Sequence, residues 1–199
     1  MGEIVLVLGG ARSGKSRHAE GLAAAAGAPV CYFATAVTGD EEMAERIARH
    51  RAVRPKHWQT VEAPYDLELR LPHETALAAC VLIDCLSIWL SNELLRLLGN
   101  STTGETLPAE RARACESDLL AKLERLLAWA AAREGLTIIV SNEVGSGVVP
   151  PYALGRLYRD VLGRANQLVA DSATRVLLVV AGIAVDLRRL AGPAGEARL

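Results

Sequence analysis

Short apolar runs alternate along this chain with longer stretches of helical periodicity, and glycine, proline or small polar residues separate them. Ile4 to Leu8 is β-branched and leucine-rich and ends at Gly9-Gly10. The amphipathic segment Ser16 to Ala26 follows and stops at Gly27, so the order strand, glycine turn, helix is predicted. Val30 to Ala34 predicts a second strand. Asp40 to Arg51 predicts a helix, with Asp40 as its cap, acids in the first turn and arginines in the last, an arrangement that suits the helix dipole. Pro55 bars its continuation. Beyond it, Trp58 to Glu62 predicts a short strand and the residues from Tyr65 a weak helix. Ala79 to Ile83 has the look of a buried strand ending at Asp84, and Ser87 to Leu98 continues as an apolar helix. Gly99 to Thr106 reads as a loop, Pro108 to Arg133 as a long helix, Leu136 to Val140 as a strand, Pro151 to Asp171 as a helix and Arg175 to Val180 as a strand.

Several of these strands are apolar at successive positions, which requires burial on both faces. The expected fold is therefore α/β, a mostly parallel sheet with helices on both faces. At 199 residues and 51% hydrophobic content, one domain spanning 1–199 is expected, with about 190–199 as a frayed tail. The net charge of −1 gives no basic surface to neutralise nucleic-acid phosphates or an acidic membrane, so small-molecule substrates are expected and no nucleic acid. Cys31, Cys80, Cys85 and Cys115 form no CxxC pair, which argues against a zinc site or a disulfide framework. No run reaches the roughly 18 apolar residues of a membrane span. The start of the chain lacks the basic region of a secretory signal, so a cytoplasmic location is expected.

Chemistry first enters at Gly9, Gly10, Ala11, Arg12, Ser13, Gly14, Lys15 and Ser16, which match GxxxxGK[ST] between a predicted strand and a predicted helix. This is the pattern of a P-loop NTPase. Glycines at 9 and 14 allow backbone that a side chain would block, so successive N–H groups can converge on phosphate oxygens at a helix N-terminus. Lys15 is expected to reach the β- and γ-phosphates, and Ser16 to ligate Mg2+. Asp84, at the carboxyl end of a buried strand, occupies the Walker-B position and is the second candidate metal ligand. A cap for the helix that follows is also a physically sound role for it, one that does not exclude the metal.

P-loops serve kinases, GTPases and ATP-driven machines, and the motif does not choose among them. No guanine-specifying NKxD stretch of the small-GTPase type is present. The chain does resemble, along nearly its whole length, the bifunctional adenosylcobinamide kinase/adenosylcobinamide-phosphate guanylyltransferases of cobalamin biosynthesis. The blocks that carry the resemblance are Gly9 to Glu20, Tyr32 to Thr35, Glu42 to His50, Arg54 to Trp58, Asp84 to Asn92, Ser141 to Pro150 and Arg159 to Gln167.

The resemblance implies a RecA-like P-loop fold and two reactions. ATP or GTP would phosphorylate the aminopropanol hydroxyl of adenosylcobinamide. GMP would then pass from GTP to adenosylcobinamide-phosphate through a GMP-histidine, giving adenosylcobinamide-GDP and pyrophosphate. The position matching that histidine is His50, the implied nucleophile. On its residues alone, His50 is a neutral imidazole among Arg46, Arg49 and Arg51, and equally a dipole partner at a helix C-terminus. Nucleotide contacts carried over are Ala34, Thr35 and Ala36, then Arg51, Ala52, Val53 and Arg54, then Glu62 and Asp84. Read singly, these are also a strand exit, a solvated basic face and a surface carboxylate. The resemblance further implies a homotrimer, to whose contacts Trp89 or Trp129 are candidates. Ser146 and Pro151 depart from the family pattern in the loop after the strand ending near Val140, which bears on how the corrinoid is held.

Overall fold

The computed structural model describes residues 2–27, 29–37, 54–99 and 107–192. Strands β1 (Glu3–Gly9), β2 (Val30–Ala34), β3 (Gln59–Glu62), β4 (Cys80–Asp84), β5 (Leu136–Asn142), β6 (Arg175–Val180) and β7 (Ile183–Asp186) form one sheet in the order β3-β2-β4-β5-β1-β6-β7. Every neighbouring pair is parallel except β6 and β7, an antiparallel hairpin. The helices are α1 (Lys15–Ala25), α2 (Leu67–Glu74), α3 (Leu86–Leu98), α4 (Ala109–Ala132), α5 (Ala153–Ser172) and α6 (Leu187–Ala191). The fold is the expected α/β, P-loop type. Its β5 lies between the P-loop strand β1 and the Asp84 strand β4, as in RecA-like sheets.

The alternation along each strand shows why both faces had to be apolar. Ile4 and Leu6 of β1 point into the larger core, built with α2, α3, α4 and α5, whereas Val5 and Val7 point into a second core beneath α1. Trp89 is fully buried in the larger core. That removes it from any subunit contact. Trp129 packs partly buried against the same core, with the Arg133 guanidinium 5.5 Å from its ring centroid.

Element boundaries differ from the expected ones by a residue or two at most ends. The hairpin partner β7 and the short α6 are new. Their sequence alternates weakly, since β7 is an edge strand with Ile183 and Val185 exposed. The helix expected over Asp40 to Arg51, most of the Gly99 to Thr106 loop and the end of the expected tail, 193–199, lie outside the described residues. No helix among the described residues is long and apolar enough to cross a membrane.

A buried ion network ties the helices of the larger layer together. Glu93 of α3 is fully buried, and its Oε2 lies 2.9 Å from Lys122 Nζ of α4 and 2.7 Å from Arg96 Nη2. Glu93 Oε1 accepts the Asp66 backbone N–H at 2.7 Å. Asp66, the residue before α2, receives both Arg96 nitrogens at 2.6 and 2.8 Å and Lys122 Nζ at 3.1 Å. Each carboxylate thus has several charged donors, the condition under which buried charge is tolerated. The network fixes where α2 begins, and so fixes the segment that leads to it from β3.

Lys122→Met is expected to lower unfolding stability by about 3 kcal/mol in urea titrations, because it strands Glu93 as a buried charge with one donor fewer. The Arg96 hydrogen bonds hold the Asp66 carboxyl well below the ordinary carboxylate range, against the opposing effect of its partial burial. A depressed carboxyl contributes stability that is complete above its unfolded-state value of about 3.9 and is lost as pH falls toward its folded value. The melting temperature should therefore fall more steeply below about pH 4 in the wild type than in Asp66→Asn.

Candidate active site

The turn from β1 into α1 is built by close approaches that only certain residues permit. A Cβ at Gly9 would meet Ser13 Oγ and would lie 2.6 Å from the Val179 carbonyl oxygen of β6. Gly14 has φ +92°, and Arg12 also adopts the left-handed region at φ 57°. A non-glycine residue held there marks a backbone shaped for something other than stability. The loop is backed by the β6–β7 turn, where Gly182 N–H donates to the Ser13 carbonyl at 2.8 Å. Helix α1 starts at Lys15 with no side-chain cap and no acid in its first turn. Its positive end therefore meets no competing negative charge from its own residues, which suits an anion. Lys15 is almost wholly buried and its Nζ donates to the Gly10 carbonyl at 3.1 Å. The buried Ser13 Oγ has no hydrogen-bond partner among the described residues.

Across from the loop stands Asp84. Ser16 Oγ donates to its Oδ1 at 3.3 Å and Tyr32 Oη to its Oδ2 at 2.6 Å. Helix α3 is capped at Cys85, with no side-chain cap hydrogen bond. The capping role open to Asp84 from sequence is therefore not the one it has; its carboxylate faces the P-loop. Burial above all, and then the Asp84 charge, push the Tyr32 phenol far above its ordinary range, so it remains a donor. Glu20, one turn beyond Ser16 on α1, is raised by burial and by Asp84 and lowered by Arg54. The Arg54 guanidinium carbon lies over the Tyr32 ring, 3.4 Å from its centroid. Its Nε and Nη1 are buried with no hydrogen-bond partner among the described residues.

Mg2+ prefers hard oxygen ligands, usually one or two carboxylates with substrate phosphates and water. A serine hydroxyl and a carboxylate converging at 3.3 Å beside a phosphate-binding turn fit that requirement. Among the described residues no cluster of three or more His, Cys, Asp or Glu could hold a metal by itself. A metal here would depend on phosphate oxygens to complete its shell.

A chain of polar contacts runs along the same sheet edge. Thr35 Oγ1 accepts the Cys85 N–H at 2.8 Å and donates to the Cys85 carbonyl at 2.9 Å, and Thr35 N–H donates to the Asp84 carbonyl. Asn92 of α3 donates to the carbonyls of Thr35 at 2.8 Å and Pro64 at 3.2 Å. Farther along, Asn142 Nδ2 donates to Ser87 Oγ at 2.9 Å, and Tyr158 Oη to the Ser87 carbonyl at 3.2 Å. Burial first, then the Cys85 sulfur, raise the Tyr158 phenol to about 12. Asn166 Nδ2 donates to the Asn142 carbonyl and Asn166 Oδ1 accepts from Ser141 Oγ.

Gly9 to Ser16, Ala34 to Ala36, Arg54, Glu62 and Asp84 thus gather at the carboxyl ends of β1, β2, β3 and β4. Thr35 is fully buried and its hydroxyl, N–H and carbonyl are all engaged inside the protein, so it shapes the strand exit. His50, Arg51, Ala52 and Val53 lie outside the described residues. Sequence reasoning missed Tyr32, Asn92 and Asn142. For Tyr32 a signal existed, a phenol in an otherwise apolar strand two positions before the strand exit. For the two asparagines no local pattern announces the contact.

Residues 5–187 match the family described as cobinamide kinase / cobinamide phosphate guanyltransferase. The chain is 45% identical over 183 residues to the bifunctional adenosylcobalamin biosynthesis protein CobP of Pseudomonas aeruginosa, covering 92% of this chain and 96% of that one. It is 39% identical to the corresponding CobU protein of Escherichia coli and 38% identical to that of Salmonella typhimurium. Each of these two matches covers 93% of this chain and 99% of the relative. With the P-loop, Asp84 and the sheet edge arranged as above, the chain belongs to the cobinamide kinase / cobinamide phosphate guanyltransferase family.

Proposed function

We propose that the protein uses one phosphate cradle for two transfers: phosphorylation of adenosylcobinamide by ATP or GTP, then guanylylation of adenosylcobinamide-phosphate by GTP. The observation that carries this reading is the P-loop turned toward Asp84, with Ser16 Oγ 3.3 Å from its carboxylate, in a chain of this family. In the first reaction the loop N–H groups and Lys15 hold the β- and γ-phosphates while the substrate hydroxyl oxygen attacks the γ-phosphorus and the nucleoside diphosphate leaves. Such a transfer rests mainly on positioning and charge neutralisation.

In the second reaction the His50 imidazole attacks the α-phosphorus of GTP, the bond to the β-phosphate oxygen breaks, and pyrophosphate leaves. An oxygen of adenosylcobinamide-phosphate then attacks the same phosphorus, releasing His50 and forming the diphosphate of adenosylcobinamide-GDP. Neutral imidazole suits this step, being nucleophilic near pH 7 without a strong base. Arg54 Nε and Nη1, buried without a hydrogen-bond partner among the described residues, support its assignment as a phosphate contact, continuous in sequence with Arg51, Ala52 and Val53. Ala34, Ala36 and Glu62, at the carboxyl ends of β2 and β3, are further nucleotide contacts in this reading.

Ser16 and Asp84 are the residues that hold Mg2+, whose positive charge supplies electrostatic stabilisation to the transferring phosphates. The assembly in this reading is a homotrimer, and the compartment is the cytoplasm. The four cysteines are free and buried, in keeping with reducing conditions.

With GTP labelled at the α-phosphate, wild-type protein should retain label after denaturation and His50→Ala should retain none. Label on the variant, or its absence from wild type, would remove the covalent step. Lys15→Ala is expected to lower kcat/KM of both reactions by roughly 100-fold, the scale of losing one preorganised charge contact to a transferring phosphoryl group. Kinase turnover that stays at the wild-type level would refute the Lys15 contact.

A further inference from the structure

Tyr32 is buried to 1% exposure in the core beneath α1, yet two of its surfaces leave that core and meet charged groups of the site. Its hydroxyl donates to Asp84 Oδ2 at 2.6 Å, and one ring face carries the Arg54 guanidinium at 3.4 Å from the centroid. From these contacts we infer that Tyr32 is a positioning residue with two separable tasks: its hydroxyl aims the Asp84 carboxylate, and its ring seats Arg54 flat with its N–H edges presented to nucleotide phosphate. The inference rests on the reading of Asp84 as a metal ligand and of Arg54 as a nucleotide contact.

The first task follows from the shape of a carboxylate. Asp84 Oδ1 faces Ser16, whereas Oδ2 accepts from the hydroxyl of buried Tyr32, and the Glu20 carboxyl is close enough to interact with the Asp84 charge. A donor on a rigid ring is what keeps that second oxygen in place and leaves the first directed at the phosphate side. The register makes this possible: Ala34 of β2 pairs with Asp84 of β4, and Tyr32, two residues earlier, shares their face of the sheet. Hydrogen bonds of this kind to a metal-ligating group typically alter metal affinity by roughly 10- to 100-fold.

The second task concerns direction. Arg54 Nε and Nη1 are buried with no hydrogen-bond partner among the described residues, although the guanidinium is always charged. The phenol covers one face of the cation and leaves Nε and Nη1 without a hydrogen-bond partner among the described residues. An edge-on fork is the geometry that binds phosphate oxygens. A lysine at 54 would keep the charge and lose the plane.

Two binding measurements on the full chain separate the tasks. Mn2+ binding to the complex with a non-hydrolysable GTP analogue, followed by electron paramagnetic resonance, should weaken about tenfold in Tyr32→Phe. Affinity for the analogue without metal should fall roughly three- to tenfold in Tyr32→Leu and likewise in Arg54→Lys. Tyr32→Phe, which keeps the ring, should stay nearer to wild type than either. Mn2+ affinity unchanged in Tyr32→Phe but lost in Asp84→Ala overturns the hydroxyl's task. Mn2+ affinity unchanged in both overturns it as well, by removing Asp84 from the metal. Arg54→Lys and Tyr32→Phe binding the analogue alike overturns the ring's task, and this pair decides the matter even if Tyr32→Leu does not fold.

Discussion

Parallel pairing in a single register holds five strand ends in one line. Gly9 pairs with Asn142, Asp84 lies opposite Val140 on one side and Ala34 on the other, and Ala34 lies opposite Glu62. A slip of one residue at β4 would turn Asp84 to the opposite face and bring Ile83 to the phosphate turn. Nothing in the chemistry of the site tolerates that. The hydrophobic alternation that sorts Ile4 and Leu6 from Val5 and Val7 therefore also fixes the polar edge, because both follow from the same period of two.

The order imposed at that edge is obtained against local preference. Arg12 sits in the left-handed region, Ser13 Oγ and Asn142 Oδ1 are buried without partners among the described residues, and charged Glu20 and Asp84 are held near each other. Away from the edge, buried Glu93 shares donors with Asp66 through Lys122 and Arg96. Among the described residues, unsatisfied Ser13, Arg54 and Asn142 atoms lie where ligand phosphates are expected, as in a site prepared in advance.

How much of this was legible depended on distance along the chain. The P-loop could be read because its glycines, Lys15 and Ser16 lie within eight positions and each has a local physical reason, and the strand ending at Asp84 because its apolar run is continuous. Tyr32 could not be assigned from sequence, since its importance lies in a contact to a residue 52 positions away. Asn92 and Asn142 were hidden for the same reason, as was Glu93, whose partners Asp66 and Lys122 lie outside its own helix. The β7 edge strand escaped because a half-exposed hairpin needs no strong hydrophobic pattern. Asp84 is the instructive case: sequence allowed a cap or a ligand, and its carboxylate turns to Ser16 and Tyr32 while α3 is capped at Cys85.

The support of Ser13 by Gly182 has a bearing on how the chain reaches its native state. The phosphate turn is encoded at the beginning of the chain, but its strand β1 is flanked by β5 and β6, both from the second half, and its rear wall is the turn at Gly182. Such a sheet has high contact order, and loop closure must precede the contacts that reward it. On a ribosome, the residues of the phosphate turn emerge well before Gly182, whose N–H backs them. Until that contact forms, the chain carries the motif without its rear support.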